Sequence, residues 1–164
     1  MLKKSRWYFL LITLCCFALP DSEAANKRYR CMWRDDPATT MVIGWDQVSG
    51  QNAVLCYDEV DFGRQASAYR NKKRPDRIIQ SKGMDNHFVR LSGLKPNTVY
   101  YFVILDSEGV SQRLSFKTTP DDPSVPLSII AGGDSRNNRE VRRNANQLVS
   151  RLRPHFVVFA GDMT

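Results

Sequence analysis

The sequence predicts an all-β sandwich followed by an incomplete α/β unit of strand, helix and strand, and three observations predict it. Across residues 27–119 the apolar residues recur with a period of two in short runs broken by turn residues, the mark of half-buried strands. Residues 120–126 then hold Pro120, Pro123 and Pro126 with no apolar period, which reads as a linker between domains. Beyond it, two continuous apolar runs flank a segment with helical spacing. The chain divides accordingly into residues 1–25, 26–119, 120–126 and 127–164.

Residues 1–25 read as a secretory signal peptide. Lys3, Lys4 and Arg6 precede the apolar run 7–19, and Ser22-Glu23-Ala24 supplies a small-residue cleavage site. The thirteen residues of that run fall short of the ~20 that a spanning helix needs, which argues against a membrane anchor. The mature chain is therefore expected to be secreted or periplasmic, with no membrane span. Cys15 and Cys16 leave with the peptide, so Cys31 and Cys56 remain. In an oxidising compartment they either pair, closing a loop worth ~3 kcal/mol in the chain-entropy model, or stay as two buried thiols.

The 164 residues are 42% hydrophobic and 25% charged, which excludes a disordered or fibrous chain. The net charge of +7 invites a polyanionic partner, so its distribution matters. Six basic residues fall between Arg64 and Arg77, beside Asn71, Pro75 and Asp76 and with no aromatic after Tyr69. That stretch reads as a solvated loop, with an anionic surface or polymer as the alternative, and no specific nucleic-acid binding is expected.

Within the first domain, strands are expected at 28–33, 41–45, 53–57, 87–91, 99–105 and 113–117, six or seven in all. Leu94-Lys95-Pro96-Asn97-Thr98-Val99-Tyr100 resembles the turn and tyrosine corner of fibronectin type III domains. The resemblance implies that the Tyr100 hydroxyl bonds backwards to the chain. Tyr100, Phe102 and Ile104 would face the core, leaving Tyr101, Val103 and Leu105 on the other face. A strand apolar on both faces predicts a neighbouring domain packed against it.

After the linker, 127–131 and 156–160 read as parallel strands. Between them, 139–152 carries Val141, Ala145, Leu148, Val149 and Leu152 at helical spacing and is closed by Pro154. Arg136, Arg139, Arg142, Arg143, Arg151 and Arg153 fall mostly on the polar side of this helix, where solvation is their default role. Gly132-Gly133-Asp134-Ser135 follows the first strand and Gly161-Asp162-Met163-Thr164 the second. Both aspartates thus lie just past carboxyl ends, the edge where open parallel sheets bind ligands, on strands ~4.8 Å apart. Two neighbouring carboxylates raise each other's pKa unless a cation intervenes, and a metal ion removes the conflict. Glycines before them let the backbone turn without a side chain crowding the ion.

These residues, with Pro154-His155-Phe156-Val157-Val158-Phe159-Ala160-Gly161-Asp162, resemble the opening of the calcineurin-like metallophosphoesterase fold. A fibronectin-like domain in front of that fold, on an exported chain, is similar to the purple acid phosphatase arrangement. The resemblance implies that Asp134 binds one metal and Asp162 bridges two, in a binuclear centre of iron with iron, zinc or manganese. It implies a phosphate monoester substrate, with the metals polarising the phosphoryl group and generating hydroxide. Arg136 stands where related enzymes place histidine or glycine. A protonated arginine is no metal ligand, but it can bind a substrate phosphate.

His87 belongs to the expected sandwich and His155 to the edge opposite the aspartates, so neither is expected to ligate. No complete catalytic set is present, and the chain reads as a fragment lacking the rest of the same domain, because two strands and a helix bury too little alone. A tyrosine characteristic of the family would fall one position beyond Thr164. The rival enzyme is an SGNH-type hydrolase with Ser135 as nucleophile, although Gly161-Asp162-Met163 stands where its oxyanion-hole glycine and asparagine would be expected. A third reading is an exported fibronectin-like binding module without activity.

Overall fold

Two antiparallel four-stranded sheets face each other across one apolar core in the computed structural model, which describes residues 25–133 and 138–161. The strands are β1 (Asn26–Met32), β2 (Met41–Gln47), β3 (Val54–Asp58), β4 (Asn71–Lys73), β5 (Arg77–Ser81), β6 (Met84–Leu91), β7 (Val99–Leu105) and β8 (Leu114–Lys117). One sheet has the order β1-β2-β6-β5 and the other β4-β3-β7-β8. The chain therefore changes sheet between β2 and β3, between β4 and β5, and between β6 and β7. A separate parallel pair follows, β9 (Ile129–Gly133) beside β10 (Phe156–Ala160), connected through α1 (Arg139–Leu152). The described chain is thus mostly β-sheet with a single helix.

Alternation in sequence becomes alternation in burial. Met41, Ile43 and Trp45 of β2 lie opposite Leu91, Val89 and His87 of β6, and all six are buried. They meet Leu55 of β3 and Tyr100, Phe102 and Ile104 of β7 from the other sheet. Direct pairing and the shared inward face place these side chains in one dry layer, where the bulk of the hydrophobic stabilisation resides.

The tyrosine corner forms. The Tyr100 hydroxyl accepts a hydrogen bond from the Lys95 N–H at 2.9 Å, and its ring stacks on Phe116 with centroids 5.5 Å apart. Asn97 takes the left-handed conformation the turn needs, at φ 49°. Thr118 ties the corner to the end of the sandwich, its hydroxyl donating to the Lys95 carbonyl at 2.6 Å and accepting from the Thr98 N–H at 2.9 Å. Thr119 is still buried, and the exposed stretch begins at Asp121.

Three expectations are corrected. The sandwich has eight strands, because β4 and β5 lie in and just beyond the stretch read as a solvated loop. Both are sheet edges made of polar or fully exposed residues, so they carry no burial alternation, and charged edge residues are a usual guard against strand addition. The hairpin joining β5 to β6 turns on Lys82 and Gly83, both at positive φ, as a two-residue mirror-image turn requires. Within the basic stretch, Arg64 donates to the Val110 carbonyl at 2.6 Å, Arg70 holds the fully buried Asp58 at 2.7 Å, and Lys73 pairs with Asp76 at 3.2 Å.

The outer face of β7 is covered by this chain's own loop between β3 and β4 and not by another domain. Phe62, Ala66 and Tyr69 pack on Val103, Tyr101, Leu105 and Cys56. The Tyr69 hydroxyl donates to the Gly63 carbonyl at 2.8 Å, which folds the loop back onto the sheet. Among the described residues Cys31 and Cys56 are both free, and only Cys56 is buried. Cys31 stands in register with the core residue Ile43, whereas Cys56 points to the outer face of the opposite sheet, so a sheet lies between the thiols. The leader expected over residues 1–25 lies, apart from Ala25, outside the described residues. No described helix is long and apolar enough to cross a membrane.

Candidate functional site

The parallel pair supplies the scaffold of the site. Ile129 aligns with Phe156 and Gly133 with Ala160, so both strands end level with each other at their carboxyl ends. At the amino ends the chain clasps itself: His155 N–H donates to the Ser128 carbonyl and Ser128 N–H to His155 Nδ1, both at 2.9 Å. His155 thus sits at the edge away from Gly133 and Ala160. His87 lies in the sandwich, buried against Trp45, with no hydrogen-bond partner at Nδ1 among the described residues. Burial pushes its pKa down, against a smaller upward pull from Asp85.

The glycines at the carboxyl ends have separate physical reasons. A Cβ on Gly133 would stand 1.9 Å from the Ala160 carbonyl oxygen, so no other residue fits without parting the strands. Gly161 has φ 110°, a region that side chains other than hydrogen rarely enter. The expectation of a sharp turn without crowding thus meets a turn at Gly161 and a close backbone approach at Gly133. Asp134, Ser135, Arg136 and Asp162 lie outside the described residues. Among the described residues no group of three or more His, Cys, Asp or Glu side chains comes together as a metal site.

Helix α1 begins on Asn138, whose side chain accepts from the Val141 N–H at 3.2 Å. It ends on Arg153 in the left-handed conformation, the N–H returning to the Val149 carbonyl. None of its residues is buried. Its apolar stripe, including Val141, Leu148 and Leu152, is exposed, as are Ile129, Val157, Val158 and Phe159 on the strands. Phe156 is tied to the sandwich by a ring contact with Trp33, centroids 4.4 Å apart.

Two buried, ion-paired carboxylates carry no sequence signal, because nothing in a period-two pattern distinguishes them. Asp58 accepts from Arg70 and from the N–H groups of Glu59, Val60 and Arg70. The Arg70 guanidinium holds its pKa far below the usual carboxylate range, against the upward push of burial. Asp46 is held by Arg28 at 3.2 Å and Arg30 at 2.9 Å. Each sits within the sandwich at a full set of partners, which is the work of a structural ion pair.

Comparison with known proteins bears on the sandwich. Residues 27–118 match the family model described as Purple acid Phosphatase, N-terminal domain. No curated protein matches the chain. Among solved structures, the chain is similar to the sensor domain of the anti-sigma factor RsgI4 in Pseudobacteroides cellulosolvens. The identity is 24%, over 63% of this chain and 99% of that one, at a TM-score of 0.39. It is also similar to the third fibronectin III domain of human KIAA0343 protein, at 18% identity over 64% of this chain and 89% of that one, at a TM-score of 0.34.

Proposed function

This chain belongs to the family of the purple acid phosphatase N-terminal domain, and from that premise we propose that it is the front part of an exported, metal-dependent phosphoesterase acting on phosphate monoesters. The sandwich is the non-catalytic leading domain, and β9, α1 and β10 open the catalytic one. One observation carries the reading: a parallel strand pair ends level at Gly133 and Ala160, with Asp134 next in sequence to one end and Gly161-Asp162 next to the other. The exposed apolar faces of β9, β10 and α1 support it, because such a unit acquires a core only when further layers cover it.

The two aspartates suit the proposed centre chemically, since carboxylate oxygens serve zinc, manganese and iron. The described residues bring no further ligand group together, so the remaining ligands would come from outside them. A binuclear centre, when bound, supplies Lewis acidity toward the phosphoryl group and a hydroxide near neutral pH. This chain's own contribution is then to hold positive charge at Asp134 and Asp162, with Gly133 and Gly161 keeping the backbone close and turned. Arg136 would donate bidentately to a phosphate oxygen pair.

The test uses the complete gene product. Metal content and hydrolysis of p-nitrophenyl phosphate are measured for the parent, Asp134→Asn, Asp162→Asn and Ser135→Ala. Either aspartate change is expected to cost metal and at least the roughly 100-fold that loss of a ligand's outer partner costs, while Ser135→Ala keeps both metal and turnover. Hydrolysis abolished by Ser135→Ala with metal retained would falsify the metal mechanism in favour of a serine hydrolase.

A further inference from the structure

We propose that the arginine face of α1 is a binding site for linear polyphosphate anions, chains of phosphoryl groups long enough to touch several guanidiniums at once. The proposal does not depend on the phosphoesterase reading. A shallow trough of about 540 Å³ runs along the helix between Arg139, Arg142, Arg143 and Arg151, floored by the uncharged Asn146, Gln147 and Ser150. Those positions repeat every three or four residues and so form one stripe. Glu140 is the helix's single acid, outside the trough lining, and Arg139, Arg143 and Arg151 have no acidic partner among the described residues.

The shape of the charge selects the ligand. Guanidiniums match phosphoryl oxygens bidentately, and Arg139 and Arg143, one turn apart, can share a single phosphate. Arg151 stands ~12 Å further along the axis, beyond the reach of that phosphate, so an extended anion engages the whole stripe and a compact one only the end at Arg139 and Arg143. Single-stranded nucleic acid is disfavoured because the stripe carries no aromatic ring for a base to stack on. Val141, Ala145, Leu148 and Leu152 occupy the opposite face, so an anionic bilayer is the rival occupant, one that would engage the apolar stripe together with the arginines, and vesicles test it.

The experiment is calorimetric titration of the full chain with orthophosphate, tripolyphosphate and long-chain polyphosphate. A charge-matched DNA oligonucleotide and phosphatidylserine vesicles serve as rival ligands. Affinity is expected to rise at least about tenfold from orthophosphate to the long chain, and to fall by at least about tenfold between about 50 and about 200 mM salt. The variant R139Q/R143Q/R151Q, changed only at exposed positions, should lose the long chain with its circular dichroism unaltered. Arg151→Gln alone, should the triple variant misfold, is expected to weaken the long chain and spare orthophosphate. Equal affinity for orthophosphate and the long chain overturns the proposal, as does undiminished binding by a folded triple variant or by Arg151→Gln. Tighter binding to the oligonucleotide or the vesicles overturns it too, and assigns the face to that partner instead.

Discussion

The sandwich and the strand–helix–strand unit both contain strongly apolar strands, yet only the first has a core. Ile43, Trp45, Leu55 and Ile104 have no exposed surface, whereas Phe159 of β10 is 37% exposed and Leu148 of α1 is 56% exposed. Both regions form backbone hydrogen-bond ladders, one in two antiparallel sheets and the other in a parallel pair beside a capped helix. The difference teaches that hydrogen-bonded strands define a sheet but not a folded layer. Burial needs a second sheet or helix face, which the sandwich supplies to itself twice: once between its sheets and once beneath the loop that seats Phe62 and Tyr69.

The largest expected effect lies in that core. Trp45→Ala removes a side chain with no exposed surface, packed among Leu55, Val89 and Phe102 in one cluster, and cuts the hydrogen bond from its indole N–H to Gln47 Oε1 at 2.8 Å. A loss of about 3 to 5 kcal/mol is expected in urea unfolding of the chain. An unchanged midpoint would mean that the sandwich is not the cooperative unit.

Acid should act on the same region through two groups. Asp58 is ionised in the fold at a pKa depressed chiefly by Arg70, so its stabilisation is complete above the unfolded value of about 3.9 and is lost as pH falls below it. His87 is buried with its pKa lowered, so the unfolded chain takes up the proton first and stability declines as pH falls below about 6.5. Thermal melts from pH 7 to pH 3 should show both declines. His87→Phe should remove the upper one and Asp58→Asn flatten the lower. Persistence of the upper decline in His87→Phe would locate its origin elsewhere.

How much of this was legible in sequence follows the same divide. The inward residues of β2, β6 and β7 announced themselves by alternation, and Tyr100 by its turn, because burial on one face imposes a period. β4 and β5 did not, since an exposed edge imposes none, and the double-sided burial of β7 suggested another domain where a loop from the same chain suffices. The loop's Phe62, Ala66 and Tyr69 have no regular spacing to reveal them. At the candidate site the parallel pairing and the special glycines follow from short motifs, whereas Asp134, Arg136 and Asp162 fall outside the described residues. The helix's basic face is visible in the sequence as a charge cluster, but spacing alone does not say whether an acid stands opposite it.

Gly133→Ala tests the weaker region locally. The added methyl meets the Ala160 carbonyl, so β9 and β10 must separate while the sandwich is untouched. Amide exchange should speed at Ile130, Ala131 and Val158 with no change at Val89 or Phe102. Faster exchange in the sandwich as well would show that the ring contact between Trp33 and Phe156 couples the two regions.

The smallest effect is expected at Leu148→Gln, and its size depends on what surrounds the helix. In the present chain Leu148 is largely exposed and glutamine is nearly as good a helix former, so the change should stay within about 0.5 kcal/mol. In the complete gene product of the proposed phosphoesterase, the apolar stripe of α1 would lie against the sheet, and the same substitution would place an amide in a core. A cost of about 2 kcal/mol or more is then expected, since an unpaired buried amide alone costs about 1 to 3 kcal/mol. Equal, negligible effects in both proteins would mean that the stripe stays in solvent, and with it would go the reading of β9, α1 and β10 as the opening of a larger layered domain.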